Sequence, residues 1–292
     1  VIALGATAFQ EATISPWQAP PATKEKLEAV RKVCLEMLPM EAEGKYAYLK
    51  GCSIGRVVPV YEGIGAPEAR YYFVEAIKDG KTVAMVFVAK YVQIGRTKPP
   101  LRFWQEDAIS KARQAIVEQW KGKQVKVEQP WFVRVNYAFH IHMSPKWRDE
   151  RKHVWSVPVL EREGILGFVH VDGWTGEVQV WQFPIKIGRE GMNEEQAKAI
   201  AWYYVQALRL HETYTDLHPP RRAFPQPRWH GWSVGFVSKV ITSPVKDDPK
   251  FPFHYDDTAI SIYMSKYGEL RYLQLNDPYV HFLVPKWPLK RQ

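Results

Sequence analysis

Apolar and polar residues follow two different periods along this chain, one typical of helices and one typical of strands. Apolar residues recur every three or four positions over residues 24–38, over residues 106–120 and after Asn193, which predicts three amphipathic helices. Asn193 can cap the third helix, and Gln196 three residues later completes a capping box. Apolar and polar residues alternate after each helix, most regularly over residues 131–143, as in a strand with one buried face. The pattern therefore predicts a helix followed by a sheet, three times in succession.

The sheets of the second and third units end in similar turns. Residues 167–181 are predicted to form two strands joined by a turn with the dipeptide Gly176-Glu177. Residues 259–275 repeat this order around Gly268-Glu269. The repeated turn indicates that the same kind of unit recurs along the chain.

Breaks in the pattern divide the chain into units. Lys98-Pro99-Pro100 separates the first unit from the second, and a glycine-containing segment at residues 188–191 separates the second from the third. Five parts are expected: an extended N-terminal segment at residues 1–21, modules at residues 22–97, 98–188 and 189–277, and a C-terminal tail at residues 278–292.

The sequence of residues 169–178, Val-His-Val-Asp-Gly-Trp-Thr-Gly-Glu-Val, together with the helix that precedes its sheet, resembles the PepSY domain. The resemblance covers residues 106–183 and 193–276 and is weaker in the first unit. It implies a cystatin-like α+β module, usually outside the cytoplasm, found in propeptides of thermolysin-type metallopeptidases and in proteins without enzymatic activity. It brings no catalytic residues to this chain. We therefore expect an α+β fold of three tandem modules, each with one helix packed on an antiparallel sheet.

Composition and charge argue against some classes of protein. The 40 Lys and Arg against 31 Asp and Glu give a net charge of +9, but the basic residues are scattered, which argues against a nucleic-acid-binding surface. No window of about 18 apolar residues occurs, so no membrane span is expected. Three Asn beside many Lys, Arg and Glu favour a protein from a hot environment.

Two features bear on the compartment of the protein. Cys34 and Cys52 form either one disulfide in an oxidising compartment or two reduced thiols in the core. The chain starts with Val1 rather than Met, and residues 1–9 are small and apolar, which is compatible with the end of a removed export signal. Because the PepSY resemblance also implies export, we expect an extracellular or cell-surface location.

The motifs of catalysis are matched only in part. Residues 231–235 match the G-x-S-x-G elbow around Ser233, but the sequence continues as a strand where an elbow needs a helix. His211 and Glu212 lack the second histidine of an H-E-x-x-H helix. We therefore expect a protein without enzymatic activity, with no catalytic residues and no cofactor.

Metal ligands were considered at two places in the sequence. Four histidines lie on neighbouring predicted strands: His140, His142, His153 and His170. Alternation alone puts His140 and His142 side by side, and this favours surface histidines over a metal site. Asp247-Asp248 and Asp256-Asp257 flank a loop without the ligand spacing of an EF-hand, so they are expected to be solvated. No metal site is expected.

The remaining features favour contacts with other proteins. The chain has 12 Trp and 15 Tyr, and several Trp fall in predicted loops or tails; both residue types are enriched at protein interfaces. The first nine residues suit an extended strand added to a sheet edge, either within the chain or in a neighbouring subunit. The candidate assembly residues are Ile2, Leu4, Ala6, Ala8 and Phe9.

The sequence thus leads to one function hypothesis and one alternative. We expect an exported, non-enzymatic protein that acts through protein–protein contacts, as a structural subunit of a surface assembly or filament. Copies of the chain would join by addition of the N-terminal strand. The alternative, which the PepSY resemblance implies, is a regulator or inhibitor of a secreted peptidase.

Overall fold

β-Strands dominate the structure, a computed structural model that describes eight segments of the chain. The segments are residues 17–20, 22–41, 44–89, 94–139, 151–220, 222–227, 230–237 and 258–275. Strands make up 44% of the described residues and helices 26%. The protein is therefore mostly β.

Four α-helices lie in the described part of the chain. They are α1 (Lys24–Glu41), α2 (Gln105–Gln119), α3 (Glu194–Ala207) and the short α4 (Leu210–Thr213). The three predicted helices are confirmed by α1, α2 and α3. The capping box is also confirmed, because Asn193 Oδ1 accepts a hydrogen bond from the Gln196 N–H at 2.9 Å and Gln196 Oε1 accepts one from the Asn193 N–H at 3.0 Å.

The strands follow the helices in three groups. The first group is β1 (Ser53–Tyr61), β2 (Ala69–Lys78), β3 (Lys81–Ala89) and β4 (Ile94–Lys98). The second is β5 (Lys126–Val127), β6 (Trp131–Phe139), β7 (Arg151–Glu161), β8 (Gly164–Asp172) and β9 (Val178–Ile187). The third is β10 (Phe224–Gln226), β11 (Gly231–Val237), β12 (Thr258–Ser265) and β13 (Leu270–Leu275). The two predicted hairpins with Gly-Glu turns are confirmed as β8–β9 and β12–β13.

Strand β6 joins the three groups. Nine strands follow one another in the order β10-β11-β12-β13-β6-β1-β2-β3-β4, while β5, β7, β8 and β9 lie off this path. One edge of β6 pairs antiparallel with β7. Two further strands pair with β6 in parallel, β1 at Tyr61 with Val133 and β13 at Tyr272 with Asn136. Strands from all three units therefore meet at β6.

The expected α+β fold of three tandem modules, each with one helix on its own antiparallel sheet, is wrong. The nine-strand path is mixed and runs through strands of all three units, because β6 takes parallel partners from the first and third units. Alternation over residues 131–143 indicated a strand with one buried face. It carried no information about which strands occupy the two edges of β6, since edge pairing uses backbone groups that every residue has.

Helices pack on both faces of the sheet. Successive side chains of β2 point to opposite faces of the sheet. Tyr71 and Phe73 pack in one cluster with Ala112 of α2, whereas Val74 packs with Cys34 of α1 on the other face. Strand β8 lies under helices on both faces, and all nine of its residues are buried. A strand covered on both faces has no solvent-facing side, which explains its nearly continuous apolar sequence.

Candidate binding cleft

A cleft of about 700 Å³ opens where β1 diverges from the chain that leads into β6. Residues 18–20, Ala22 and the first turns of α1 contribute to its lining, as do residues 104–106 at the start of α2 and residues 129–130. Residues 56–59 of β1 lie along its length. Ligand pockets commonly have volumes of about 300–1,000 Å³, so the cleft is large enough to bind a ligand or a peptide segment.

The edge of β1 that faces the cleft is open. Strand β1 pairs with β2 from Ser53 to Tyr61 on one side. On the other side, the ladder within the described residues consists of the single pair between Tyr61 and Val133. Pro59 lies in this stretch, and proline is tolerated in sheets at edges because it has no N–H to donate. An open edge presents backbone groups that can pair with another strand.

Aromatic side chains line the cleft, and two of them are fixed by hydrogen bonds. Tyr61, Trp104, Phe132 and Trp155 all contribute to its lining. The Trp155 indole N–H donates to the backbone oxygen of Phe103 at 2.9 Å. The Tyr61 hydroxyl donates to the backbone oxygen of Pro20 at 2.8 Å. Burial raises the pKa of Tyr61 to about 12, so the hydroxyl stays protonated and keeps donating at neutral pH. The apolar surface is therefore held in place before any ligand binds.

Arg56 places a positive charge at the rim. Its guanidinium carbon lies 3.2 Å from the centre of the Trp104 ring. Arg56 Nε and Nη2 donate to the two carboxylate oxygens of Glu75 at 3.0 and 3.3 Å, and the Arg56 backbone N–H donates to Glu75 Oε2 at 2.9 Å. Burial acts to raise the pKa of Glu75, but the hydrogen bonds from Arg56 and Thr82 outweigh it and the pKa is lowered. The ionised carboxylate thus orients Arg56 over the indole.

The first described segment, residues 17–20, lies beside this cleft. Trp17 is buried, its backbone oxygen accepts a hydrogen bond from the Trp131 indole N–H at 2.6 Å, and its ring meets Tyr267 edge-on at 4.7 Å. Trp17 is one of the Trp that fall in a predicted loop, and its ring packs into the core. Residues 1–16, with the candidate assembly residues Ile2, Leu4, Ala6, Ala8 and Phe9, lie outside the described residues.

The other candidate residues do not come together. His140, His142 and both Asp pairs lie outside the described residues. Ser233 lies inside β11, paired with Tyr263 of β12, and the strand continues to Val237. The part of the chain that the structure describes contains no group of three or more His, Cys, Asp or Glu that could hold a metal ion. Cys34 and Cys52 are free thiols.

His153 and His170 lie on opposite faces of the sheet. His153 packs among aromatic rings on the α2 face, including Phe132 and Phe73. His170 is buried on the α3 face, where its Nδ1 accepts a hydrogen bond from the Trp181 indole N–H at 3.3 Å. The two imidazoles therefore lie in separate environments.

Sequence analysis missed a buried charged cluster around Glu269. Glu269 is fully buried, and its Oε1 lies 3.6 Å from His170 Nε2. Arg271 is also buried and pairs with Glu62. Burial lowers the pKa of Arg271 to about 10, while the neighbouring Glu269 opposes this shift. No sequence signal could have found this cluster, because Glu177 in the matching turn is partly exposed and pairs with Lys152.

Comparison of the chain with protein-family models, curated proteins and solved structures found no match. No helix within the described residues is long and apolar enough to span a bilayer.

Proposed function

We propose that the chain acts through protein–protein contacts, and that the cleft receives an extended segment of another copy along the open edge of β1. The supporting observation is the coincidence of this open edge with an aromatic cleft. Strand addition gains affinity from main-chain hydrogen bonds and specificity from side-chain pockets. Both elements are available at residues 56–59 and the rings around them.

The occupant proposed is residues 1–16 of a second copy. Residues 1–9, Val-Ile-Ala-Leu-Gly-Ala-Thr-Ala-Phe, carry no charged side chain and suit an apolar lining. Glu11 follows them, and Arg31 and Arg56 lie among the cleft residues. A fully extended segment of 16 residues spans at most about 55 Å, enough to leave one fold and reach another. Arg56 and Arg31 are themselves paired with Glu75 and Glu28, so the fit depends on the small apolar residues against the aromatic lining.

This proposal makes the protein a structural subunit of a homo-oligomeric assembly, without enzymatic activity. The resemblance of residues 106–183 and 193–276 to PepSY domains supports a location outside the cell or on its surface, where such assemblies are built. Each copy would offer one segment and one cleft. A contact between two different surfaces is heterologous, and it generates either a ring or an open filament.

The test compares the full chain with a chain that starts at Trp17, which keeps the buried anchor. Multi-angle light scattering should show an oligomer for the full chain and a monomer for the shortened one. A synthetic peptide of residues 1–16 should then bind the shortened chain, measured by calorimetry. If the full chain is monomeric and the peptide does not bind, the proposal is wrong.

Two variants, one at the N-cap of α2 and one within α2, locate the binding surface. Trp104→Ala should weaken binding of the peptide at least about tenfold, because truncation of a central aromatic side chain costs about 2 kcal/mol or more at an interface. Val117→Ala is the matched control, since Val117 lies on the same helix, is 72% exposed and is not part of the cleft. Equal peptide affinity in the two variants would place the segment elsewhere and contradict the proposal.

A further inference from the structure

A second cluster, separate from the role proposed for the cleft, connects a lysine, a histidine and a tyrosine. Lys98 Nζ at the end of β4 lies 3.2 Å from His153 Nδ1 on β7. His153 Nε2 lies 2.6 Å from the hydroxyl oxygen of Tyr71 on β2. The Lys98 amine carries N–H groups in both its protonated and its neutral form, so we assign it as the donor to His153 Nδ1 and the His153 Nε2–H as the donor to Tyr71. The tautomer of the imidazole is thereby set.

Aromatic side chains enclose this cluster. His153 and Tyr71 are buried, and the rings of Phe73, Phe132 and Trp174 lie around the imidazole with centroids 5.0, 6.1 and 5.7 Å away. Trp174 is fixed by its indole N–H, which donates to the backbone oxygen of Pro99 at 2.8 Å. Lys98 and Trp174 are both half-buried, whereas His153 is only 6% exposed.

The surroundings make loss of a proton from the Lys98 amine easier than it is in water. Burial lowers the pKa of Lys98, and the charge of Asp172 opposes that shift only in part. The Asp172 carboxylate is itself occupied, because its Oδ1 accepts hydrogen bonds from the backbone N–H groups of Trp174 and Thr175 at 2.8 and 2.9 Å. A lysine that is partly desolvated is the form in which this residue serves as a nucleophile in proteins.

We propose that Lys98 is a nucleophilic amine that captures a small aromatic aldehyde as an imine, with His153 as the base. The base lies at the distance required for proton transfer, about 2.6–3.2 Å between heavy atoms. The Trp174 ring, 4.5 Å from Lys98 Nζ, offers a flat surface beside the amine for the ring of the aldehyde. Tyr71 is a positioning residue, because it acts on the reacting amine only through His153.

The reaction balances without any other reagent. The lone pair of Lys98 Nζ attacks the carbonyl carbon, a C–N bond forms, and the C=O π bond breaks, which leaves an ammonium nitrogen and an alkoxide oxygen. His153 Nδ1 takes one proton from the nitrogen and passes it to the alkoxide, so the carbinolamine and the imidazole are both neutral. The nitrogen lone pair then expels the hydroxyl as the C–O bond breaks, and His153 Nδ1 transfers the remaining N–H proton to it, so water departs. The products are one imine and one water molecule, and no group is oxidised or reduced.

The experiment traps this imine in the full chain. The protein is incubated with limiting pyridoxal near neutral pH, reduced with borohydride and digested, and the adduct on each lysine is quantified by mass spectrometry. Lys152 is the matched control, since it precedes His153 on β7 and is paired with Glu177 at 3.2 Å. Lys98 should be labelled at least about tenfold faster than Lys152, because a positioned base typically contributes a factor of about 100 or more.

Variants assign the roles within the cluster. Lys98→Arg should abolish the adduct at this position and leave labelling of Lys152 unchanged. His153→Gln should reduce labelling of Lys98 at least about tenfold. Should His153→Gln not fold, Tyr71→Phe keeps the ring and removes the partner of Nε2, and it should lower the ratio of Lys98 to Lys152 labelling. The proposal is overturned if Lys98 is labelled no faster than Lys152, or if neither folded variant changes that ratio.

Discussion

Glu269 Oε2 accepts a hydrogen bond of 2.7 Å from the backbone N–H of Ile64, a residue 205 positions earlier in the chain. The bond connects the turn between β12 and β13 with the loop that follows β1. Arg271, two residues further on, pairs with Glu62 in the same loop. The third unit is therefore attached to the first by buried, charge-assisted bonds, which are stronger than neutral ones.

Removal of the Glu269 charge should destabilise the protein. Glu269→Gln keeps an acceptor for the Ile64 N–H but removes the negative charge near Arg271, and we expect a loss of about 2 kcal/mol in the free energy of unfolding. Glu269→Ala removes both and should cost about 3–5 kcal/mol. Chemical denaturation measures both losses. Glu177→Gln, in the matching turn, should change stability by less than about 0.5 kcal/mol, and an equal loss in the two Gln variants would contradict this account.

Gly167 should tolerate no side chain. A Cβ at this position would lie 1.9 Å from the backbone oxygen of Trp181 on β9, far inside van der Waals contact with an atom that is fixed in the ladder. Gly167→Ala should therefore separate β8 from β9 locally and cost about 3 kcal/mol or more, measured by thermal unfolding. Gly188→Ala is the control, because nothing lies within 4 Å of its added Cβ. A Gly167→Ala protein as stable as the control would show that the two strands can move apart freely.

The pKa of Glu75 is lowered, so this carboxylate stabilises the fold above its unfolded pKa of about 4.3, and the stabilisation is lost as the pH falls through the folded pKa. Arg56→Gln should raise the pKa of Glu75, measured by NMR titration, and weaken the acid dependence of the unfolding free energy. The loss at neutral pH should be only about 1 kcal/mol, because the Arg56 side chain is 58% exposed and solvent screens the pair. An unchanged pKa of Glu75 would argue against the hydrogen bonds as its cause.

Cys34 should be inert in the native protein. Burial raises the pKa of Cys34 to about 12, so its thiol stays protonated and shielded at neutral pH. In a Cys52→Ala variant, reaction of Cys34 with a disulfide reagent should wait for unfolding, whereas in a Cys34→Ala variant the partly exposed Cys52 should react faster. Because the pKa of Cys34 is raised in the folded state, its buried thiol makes its full contribution to the free energy of unfolding below about pH 8.5. This contribution is lost as the pH rises toward 12. Rapid native labelling of Cys34 would refute the burial argument.

Local features were the predictable part of this fold. The capping box at Asn193 and the apolar face of each helix are set by residues a few positions apart, and they were predicted correctly. The hairpins around residues 176–177 and 268–269 were also predictable, because a strand, a glycine turn and a second strand are neighbours in sequence. The sheet that unites them was not predictable, since β6 takes partners from β1 and β13 through backbone groups.

The chemistry of the candidate sites depends on distant pairs. Tyr71 and Lys98 reach His153 from 82 and 55 positions away, so no motif spacing connects them. Glu177 and Glu269 occupy the same place in similar turns, yet the first pairs with the half-buried Lys152 and the second is fully buried. The difference lies in what packs over each turn, and the turn sequence does not contain it.

The shared strand β6 has a consequence for the order of events during synthesis on the ribosome. β6 is made before β13, so the edge that pairs through Asn136 with Tyr272 stays open while the whole third unit is still being translated. Parallel pairing between distant segments is slow, because a long loop must close before any bond forms. The nascent chain thus carries an unpaired β-strand edge for an extended period, and such an edge is open to mispairing with other strands.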